Sequence, residues 1–352
     1  MKVLMTGNEA MAEGGVQAGC AFYAGYPITP QNEFTAYMAR RMPELGRIFI
    51  QAESELAAIN MVFGASAAGV RAMTSSSSPG ISLKQEGISY IAGAELPAVI
   101  VNVMRGGPGL GNIAPSQSDY FQATKGGGHG DYHSIVLAPH TVEEAYQLMF
   151  PAFDLADKYR NPVMILADAM LGQMMEPLHY STKNQEPRTK NQKKWALTGC
   201  QGRKPKVIRS LYLAEGALEK INLKLQKKYQ VIQEKEQLWE DSFLEDAKVV
   251  LVAYGTMARI IKGAVKKLRG KNIKLGLIRP ITLWPFPINA FKRLTINHKR
   301  LTILVVEMSY GQMVEDVRLA IEGKFPVEFL GRAGGGIPSE EEIMNKIKRI
   351  SV

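Results

Sequence analysis

The sequence is poor in cysteine: 352 residues contain two, Cys20 and Cys200, far apart in the chain. That excludes a disulfide framework and points to a reducing compartment. It also excludes an iron–sulfur cluster held by this chain alone, which takes about four thiolates. No apolar run reaches the ~20 residues of a membrane-spanning helix. The opening Met1-Lys2-Val3-Leu4-Met5-Thr6-Gly7 carries no export signal, so a cytoplasmic protein without membrane association is expected. Histidine is scarce too. The close pair His129 and His133 is separated by Gly130-Asp131, which reads as a loop, so no metal site is expected. Neither a G-x-G-x-x-G dinucleotide fingerprint nor a Gly-Lys-Ser/Thr phosphate loop occurs.

What is present is globular in composition, 46% hydrophobic and 22% charged. The net charge of +10 is unevenly spread. Residues 1–180 hold 10 basic and 16 acidic side chains, a net −6; the rest hold 33 and 17, a net +16. The basic half has no nucleic-acid-binding motif and no interleaved aromatics. It reads as a Lys-rich solvated surface, and no nucleic-acid partner is expected.

Short apolar runs bounded by Gly, Pro or Ser predict buried strands over Cys20–Ala24, Arg47–Gln51, Val70–Thr74, Ala98–Met104, Ser134–Ala138 and Val163–Ala167. Between them, helices are predicted over Gln31–Arg41, Glu55–Ala68, Ile81–Ala92 and Val142–Lys158. This alternation implies a parallel sheet covered on both faces, with ligands at the carboxyl ends of its strands. Residues 181–245 change character. A polar, charged arm (Ser181–Arg188, Lys190–Lys194) precedes one charged helix over 214–244, with Leu218, Ile221, Leu225, Tyr229 and Ile232 at helical spacing. A second α/β unit occupies 246–352, with strands over Lys248–Ala253, Ile273–Ile278, Leu301–Val306 and Val327–Leu330. The fold class is therefore α/β, two doubly wound parallel-sheet domains at 1–180 and 246–352.

The strand-end loops carry the candidate chemistry. In Gly25-Tyr26-Pro27-Ile28-Thr29-Pro30 two prolines stiffen a turn that presents one hydroxyl. In Ala52-Glu53-Ser54-Glu55, Glu55 heads a helix of small apolar residues, where the helix dipole favours a carboxylate; Glu53 reads as an exposed acid. Thr74-Ser75-Ser76-Ser77-Ser78-Pro79-Gly80 offers more hydroxyls than capping one helix uses. Arg105-Gly106-Gly107-Pro108-Gly109-Leu110-Gly111-Asn112 leads with a guanidinium able to clamp a carboxylate, and its glycines allow close backbone approach. Gln117, Asp119 and Gly126–Asp131 continue this long connection.

Taken together, these segments resemble the α subunit of the 2-oxoacid:ferredoxin oxidoreductases, the thiamine-diphosphate enzymes. The resemblance runs from Gly7 to about Leu178 and resumes at Leu277–Pro287 and Val305–Gln312. Within the family, Gln51–Asn60, the serines before Pro79 and Gly106–Asp131 look most like the branched-chain (2-oxoisovalerate) form. The 2-oxoglutarate form is the alternative. The resemblance implies a pyrimidine-binding thiamine-diphosphate domain and a transketolase-C-terminal-like domain. It implies that Glu55 meets N1′ of the aminopyrimidine, so that the coenzyme's own nitrogen can take the thiazolium C2 proton. Thr29 and Arg105 match residues near the reacting carbonyl and the substrate carboxylate. Pro27, Ile28, Ser77 and Ser78 would line the cofactor, and Gly106 and Asn112 the substrate.

The family's diphosphate–Mg²⁺ signature is missing, as is any cysteine cluster or γ-type domain. The resemblance therefore implies half an active site. Partner chains would supply the rest: a β subunit with diphosphate, Mg²⁺ and a [4Fe-4S] cluster, a γ subunit and possibly a ferredoxin-like δ subunit. Ferredoxin, CoA and a 2-oxoacid complete the expected partners. A non-catalytic scaffold is the weaker alternative. A nicotinamide dehydrogenase is opposed by the missing fingerprint. Leu110, Ile113 and Ala114, with no extra cation in Gly106–Gln122, favour an apolar substrate.

Overall fold

The computed structural model describes residues 2–180, 193–294 and 301–350. Most of the polar arm expected at 181–194 lies outside them. A short antiparallel pair, β1 (Lys2–Thr6) and β8 (Met175–His179), ties together the two ends of the first unit. Between them run α1 (Gly7–Gln17), β2 (Phe22–Gly25), α2 (Asn32–Glu44), β3 (Ile48–Gln51), α3 (Glu55–Ala67), β4 (Ala72–Ser76), α4 (Ser78–Gly93), β5 (Ala98–Met104), α5 (Tyr120–Thr124), β6 (Ile135–Leu137), α6 (Val142–Gln147), α7 (Met149–Tyr159), β7 (Pro162–Asp168) and α8 (Ala169–Gln173). Strands β2 to β7 are mutually parallel, in the order β6-β7-β5-β4-β2-β3. Strands β4 to β7 are buried along their whole length, as apolar runs without alternation require.

The second unit follows α9 (Ala217–Lys235) and contains β9 (Trp239–Ser242), β10 (Val249–Val252), α10 (Gly255–Arg269), β11 (Leu275–Pro280), β12 (Thr282–Trp284), α11 (Ile288–Lys292), β13 (Thr302–Glu307), α12 (Met313–Ile321), β14 (Val327–Gly331) and α13 (Glu340–Ile350). Its sheet has the order β14-β13-β10-β11-β9, parallel except for β9. No helix among the described residues is long and apolar enough to cross a membrane.

Three local expectations need correction. The helix foreseen over Val142–Lys158 is two, α6 and α7, meeting at Leu148. Pro151 stands third in α7, where no intrahelical N–H is needed. The charged helix stops at Lys235, and Trp239–Ser242 joins the second sheet as its antiparallel edge. Of its apolar stripe, Leu225, Tyr229 and Ile232 are buried, whereas Leu218 lies half in solvent. Finally, β12 leaves the second unit and pairs antiparallel with β6, becoming the outer strand of the first sheet.

The two units are also joined by buried polar contacts. The Gln117 side chain donates to the Tyr254 carbonyl (2.9 Å) and accepts from the Met308 amide (2.9 Å). Its main chain donates to the Met308 carbonyl (2.9 Å) and accepts from the Tyr254 hydroxyl (3.2 Å). Asp168, fully buried at the end of β7, accepts from Leu171 N and from the Thr256 amide and hydroxyl on α10. Arg279 on β11 donates two parallel bonds to Glu144 on α6 (2.9 and 3.0 Å) and one to Glu240 on β9 (2.9 Å). Burial pushes the Glu144 carboxyl up, but the His140 hydrogen bond and the Arg279 guanidinium outweigh it and bring it down to about 2.

Two outcomes follow. Gln117→Leu strands a buried carbonyl and a buried amide. It is expected to lower the unfolding free energy by about 2–5 kcal/mol in a urea titration. Glu144 is lower in the fold than its ordinary value of 4.5. Its contribution is therefore complete above pH 4.5 and lost as pH falls toward 2, amounting to about 3 kcal/mol. Glu144→Gln should flatten that part of the stability–pH curve.

Candidate active site

The strand-end loops meet over the carboxyl edge of the first sheet. Glu55 is the first residue of α3, whose N-cap Ser54 accepts from Ala57 N. Glu55 is buried, 6% exposed, while Glu53 two residues earlier is exposed. Among the described residues, no hydrogen bond reaches the Glu55 carboxylate. Its Oε1 faces Gly80: a Cβ built there would lie 2.5 Å from Glu55 Oε1 and 2.1 Å from Ser76 Oγ. Only glycine leaves that space.

The four consecutive serines divide. Ser75 is engaged by Gln31 and Tyr23, each at 2.7 Å. Ser78 accepts from the Arg105 amide (3.0 Å) and donates to the Asp119 carboxylate (2.5 Å). Ser76 and Ser77, between them, are buried and their hydroxyls have no partner; the same holds for Thr74. Ser77 stands at the N-cap of α4 without forming a side-chain cap. Buried hydroxyls are rarely left unmet in a finished interior. A bound polar group would meet them.

Arg105 ends β5. Its guanidinium donates to the Thr29 carbonyl (2.9 Å) and the Leu110 carbonyl (3.0 Å), and its Nε has no partner. Arg105 thus holds the Thr29 turn and its own loop together. The Thr29 hydroxyl accepts from Asn32 (3.2 Å), and the carbonyl of Pro30 accepts from Asn8 and Gln173. Pro27 is exposed and Ile28 half-buried on the rim. The loop closes by Asn112 N bonding the Gly106 carbonyl (2.9 Å), and Gly111 sits at φ +61 where a Cβ would strike that carbonyl. The Asn112 side chain reaches Gly334 of the second unit (3.0 Å), so in this chain it braces the loop. Leu110 and Ile113 are 80% and 63% exposed and line no interior surface here.

The structure thus brings Arg105, Thr29, Ser78 and Gly106 into one cluster and Glu55, Ser76 and Gly80 into another. The turn Ser76–Gly80 joins them. Sequence reasoning passed over Ser76 and Lys84, and left Asp119 without a role. Asp119 is half-buried, accepts from Asn102 (2.9 Å) as well as Ser78, and is raised by desolvation against those two donors. The strand period marks Ser76 as the last residue of β4; nothing local marks Lys84, a cation inside an apolar helix face.

Residues 13–236 match a family model described as pyruvate flavodoxin/ferredoxin oxidoreductase, thiamine diphosphate-binding. Residues 247–343 match pyruvate:ferredoxin oxidoreductase core domain II. A split-gene transketolase chain superposes with a TM-score of 0.59 at 13% identity over 98% of this chain and 97% of its own, a likeness of fold alone. The class is therefore a thiamine-enzyme α/β architecture. More specifically, the chain is 51% identical to the ketoisovalerate oxidoreductase subunit VorB of Methanothermobacter marburgensis, over 99% of this chain and 97% of that one. It is 37% identical to the 2-oxoglutarate synthase subunit KorA of Methanocaldococcus jannaschii, over 97% and 98%. It also superposes on a solved 2-oxoglutarate:ferredoxin oxidoreductase from Magnetococcus marinus, with 2-oxoglutarate, coenzyme A and succinyl-CoA bound. There the TM-score is 0.85 and the identity 27%, and this chain spans 65% of that chain's length. The chain belongs to the 2-oxoacid:ferredoxin oxidoreductase family and is a subunit of such an enzyme.

The residues present fit the family's cofactor: an unpartnered carboxylate, orphaned hydroxyls and a glycine that keeps the space between them open. Gly80→Ala should fold, because the atoms it meets, Ser76 Oγ and Glu55 Oε1 and Cγ, belong to side chains rather than backbone, but it should displace the Glu55 carboxylate. The expected outcome is at least a ~10-fold loss of thiamine diphosphate affinity in the assembled enzyme, about 1.4 kcal/mol, by calorimetric titration.

Proposed function

We propose that this chain supplies the aminopyrimidine half of the active site in a CoA-acylating oxidoreductase that acts on 2-oxoisovalerate. The reaction converts 2-oxoacid, CoA and oxidised ferredoxin to acyl-CoA, CO₂ and a proton, with two electrons passed to ferredoxin. The observation that carries this reading is the buried Glu55 carboxylate, without a partner and held clear by Gly80. Bound thiamine diphosphate would supply a carbon nucleophile for the 2-oxo group.

This chain's residues would act as follows. Glu55 accepts a hydrogen bond from N1′ and so sets the proton distribution on the aminopyrimidine. Ser76 and Ser77 meet polar edges of the cofactor, with Pro27 and Ile28 on the rim. Ser78 positions the loop through Asp119 and Arg105. Thr29 presents its hydroxyl to the reacting carbonyl. Arg105 keeps Thr29 in place and offers positive charge, and its free Nε, to the substrate carboxylate until CO₂ leaves. Gly106 and Asn112 shape the floor of the same loop.

The exposed Leu110 and Ile113 support a partner chain that covers the loop and completes an apolar substrate pocket. In this reading a β subunit brings the diphosphate and Mg²⁺ site and a [4Fe-4S] cluster, alongside γ and ferredoxin-like δ subunits. The 51% identity to a ketoisovalerate oxidoreductase subunit supports the branched-chain acid. The 37% identity to a 2-oxoglutarate synthase subunit keeps 2-oxoglutarate as the second reading.

In the assembled complex, Glu55→Ala is expected to cut turnover by about 10²–10⁴-fold while assembly, followed by gel filtration, is unchanged. Wild-type rates from that variant would leave a scaffold. With methyl viologen as acceptor, 2-oxoisovalerate should turn over faster than 2-oxoglutarate. The reverse order would move the assignment to the second reading.

A further inference from the structure

Lys84 lies on α4 one turn beyond Gly80 and has no solvent exposure at all. A lysine is almost never fully buried without a partner. The one hydrogen bond described for its ammonium goes to the main-chain carbonyl of Glu55, at 3.4 Å. Burial lowers the Lys84 ammonium to about 8, and the charge of Glu55 is what opposes that fall.

Among the described residues, two other acids lie along the elements packed on α4: Asp119, engaged by Ser78 and Asn102, and Asp168 at the end of β7, engaged by Leu171 and Thr256. The facing strands β4 and β5 carry no ionisable side chain. On β2 the one such group, Tyr23, has its hydroxyl engaged by Thr35 and Ser75. Glu55 is the only charged residue of α3, and Glu86 on α4 is exposed and bonded to Tyr90. A buried cation behind a buried carboxylate interacts with it more strongly than the same pair would in water.

We propose that Lys84 is a positioning residue: its buried ammonium anchors the Glu55 main chain and sets a positive charge behind the Glu55 carboxylate, at the point where the aminopyrimidine would meet it. This rests on the role given to Glu55 above. In this role Lys84 acts through Glu55 rather than on cofactor or substrate. Its charge sets the pH at which the site becomes competent. Removing it moves the acid limb of cofactor activation to higher pH.

The test follows deuterium exchange at the thiazolium C2 of thiamine diphosphate bound to the assembled complex, read by NMR after acid quench, across pH. Lys84→Met should lower exchange about tenfold near neutrality and recover toward the wild-type rate as pH rises, a limb shifted by about one unit. Lys84→Arg, which keeps the charge, should leave the limb near its wild-type place. In a Glu55→Gln background, Lys84→Met should change exchange no further. If Lys84→Met does not assemble, Lys84→Gln against Lys84→Arg makes the same comparison. A loss equal at every pH, an equal shift in Lys84→Arg, or additive losses with Glu55→Gln would each overturn the proposal. Failure of the Glu55 reading looks different: Glu55→Gln alone would then leave exchange untouched. In that event urea unfolding of the full chain still tests the pair. Less-than-additive destabilisation by Lys84→Met and Glu55→Gln supports their coupling, and additive values reject it.

Discussion

One buried amide holds the molecule's shape. Gln117 uses both ends of its side chain and both of its main-chain polar groups on two segments of the second unit, Tyr254 and Met308. Each bond alone would contribute little over water. Their force lies in burial, because slipping the units apart would strand several polar groups at once. Neighbouring contacts use the same segment. Tyr120 donates to Asp316, and Gln312 spans Ser118 and Phe121. The stretch from Arg105 to Lys125 is thereby pinned at one end to the Thr29 turn and at the other to the second unit. The loops over the sheet edge have a fixed frame.

Within that frame the site differs from the interior around it. Elsewhere buried carboxylates are fully met. Glu307 takes three amides at the start of α12 and the Ser309 hydroxyl, and Asp168 takes an amide of α8 and both donors of Thr256. These acids fasten helices to strand ends. Glu55 stands at an equivalent place, at a helix start beyond a strand, yet among the described residues its carboxylate has no donor, and the hydroxyls of its neighbours Ser76 and Ser77 have no partner. The same local architecture has been built twice as a joint and once as an opening.

Much of this was legible in the sequence. Every strand read from Cys20–Ala24 to Val327–Leu330 exists, because parallel strands are short apolar runs with sharp ends, although the one at Ile48–Gln51, expected to be buried, lies at the sheet's outer edge with no buried residue. Glu55 and Glu53 were separable because the first heads an apolar helix and the second does not. What escaped has physical reasons. Helix α1 opens with a capping box, Thr6 and Glu9 reciprocally bonded, but it is buried nearly all round and rich in glycine, so it has no polar face to give a period. Strand β12 is three residues long and runs into Pro285, too little to separate from a turn. The break at Leu148 follows from packing, since Pro151 is tolerated inside the first turn of α7. Lys84 could not be distinguished from a surface lysine, because burial of a cation is decided by what α3 brings to it.

The crossing of β12 into the first sheet has a consequence for how the chain is made. Until residue 284 has left the ribosome, β6 is the bare margin of a sheet of six strands, three buried apolar residues with an unpaired row of amides and carbonyls. A gene cut between the two units would leave that margin permanently open, inviting strands from other molecules. The units look separable when drawn as two sheets, but they share a seam, and nascent polypeptide must guard it over more than a hundred codons of synthesis.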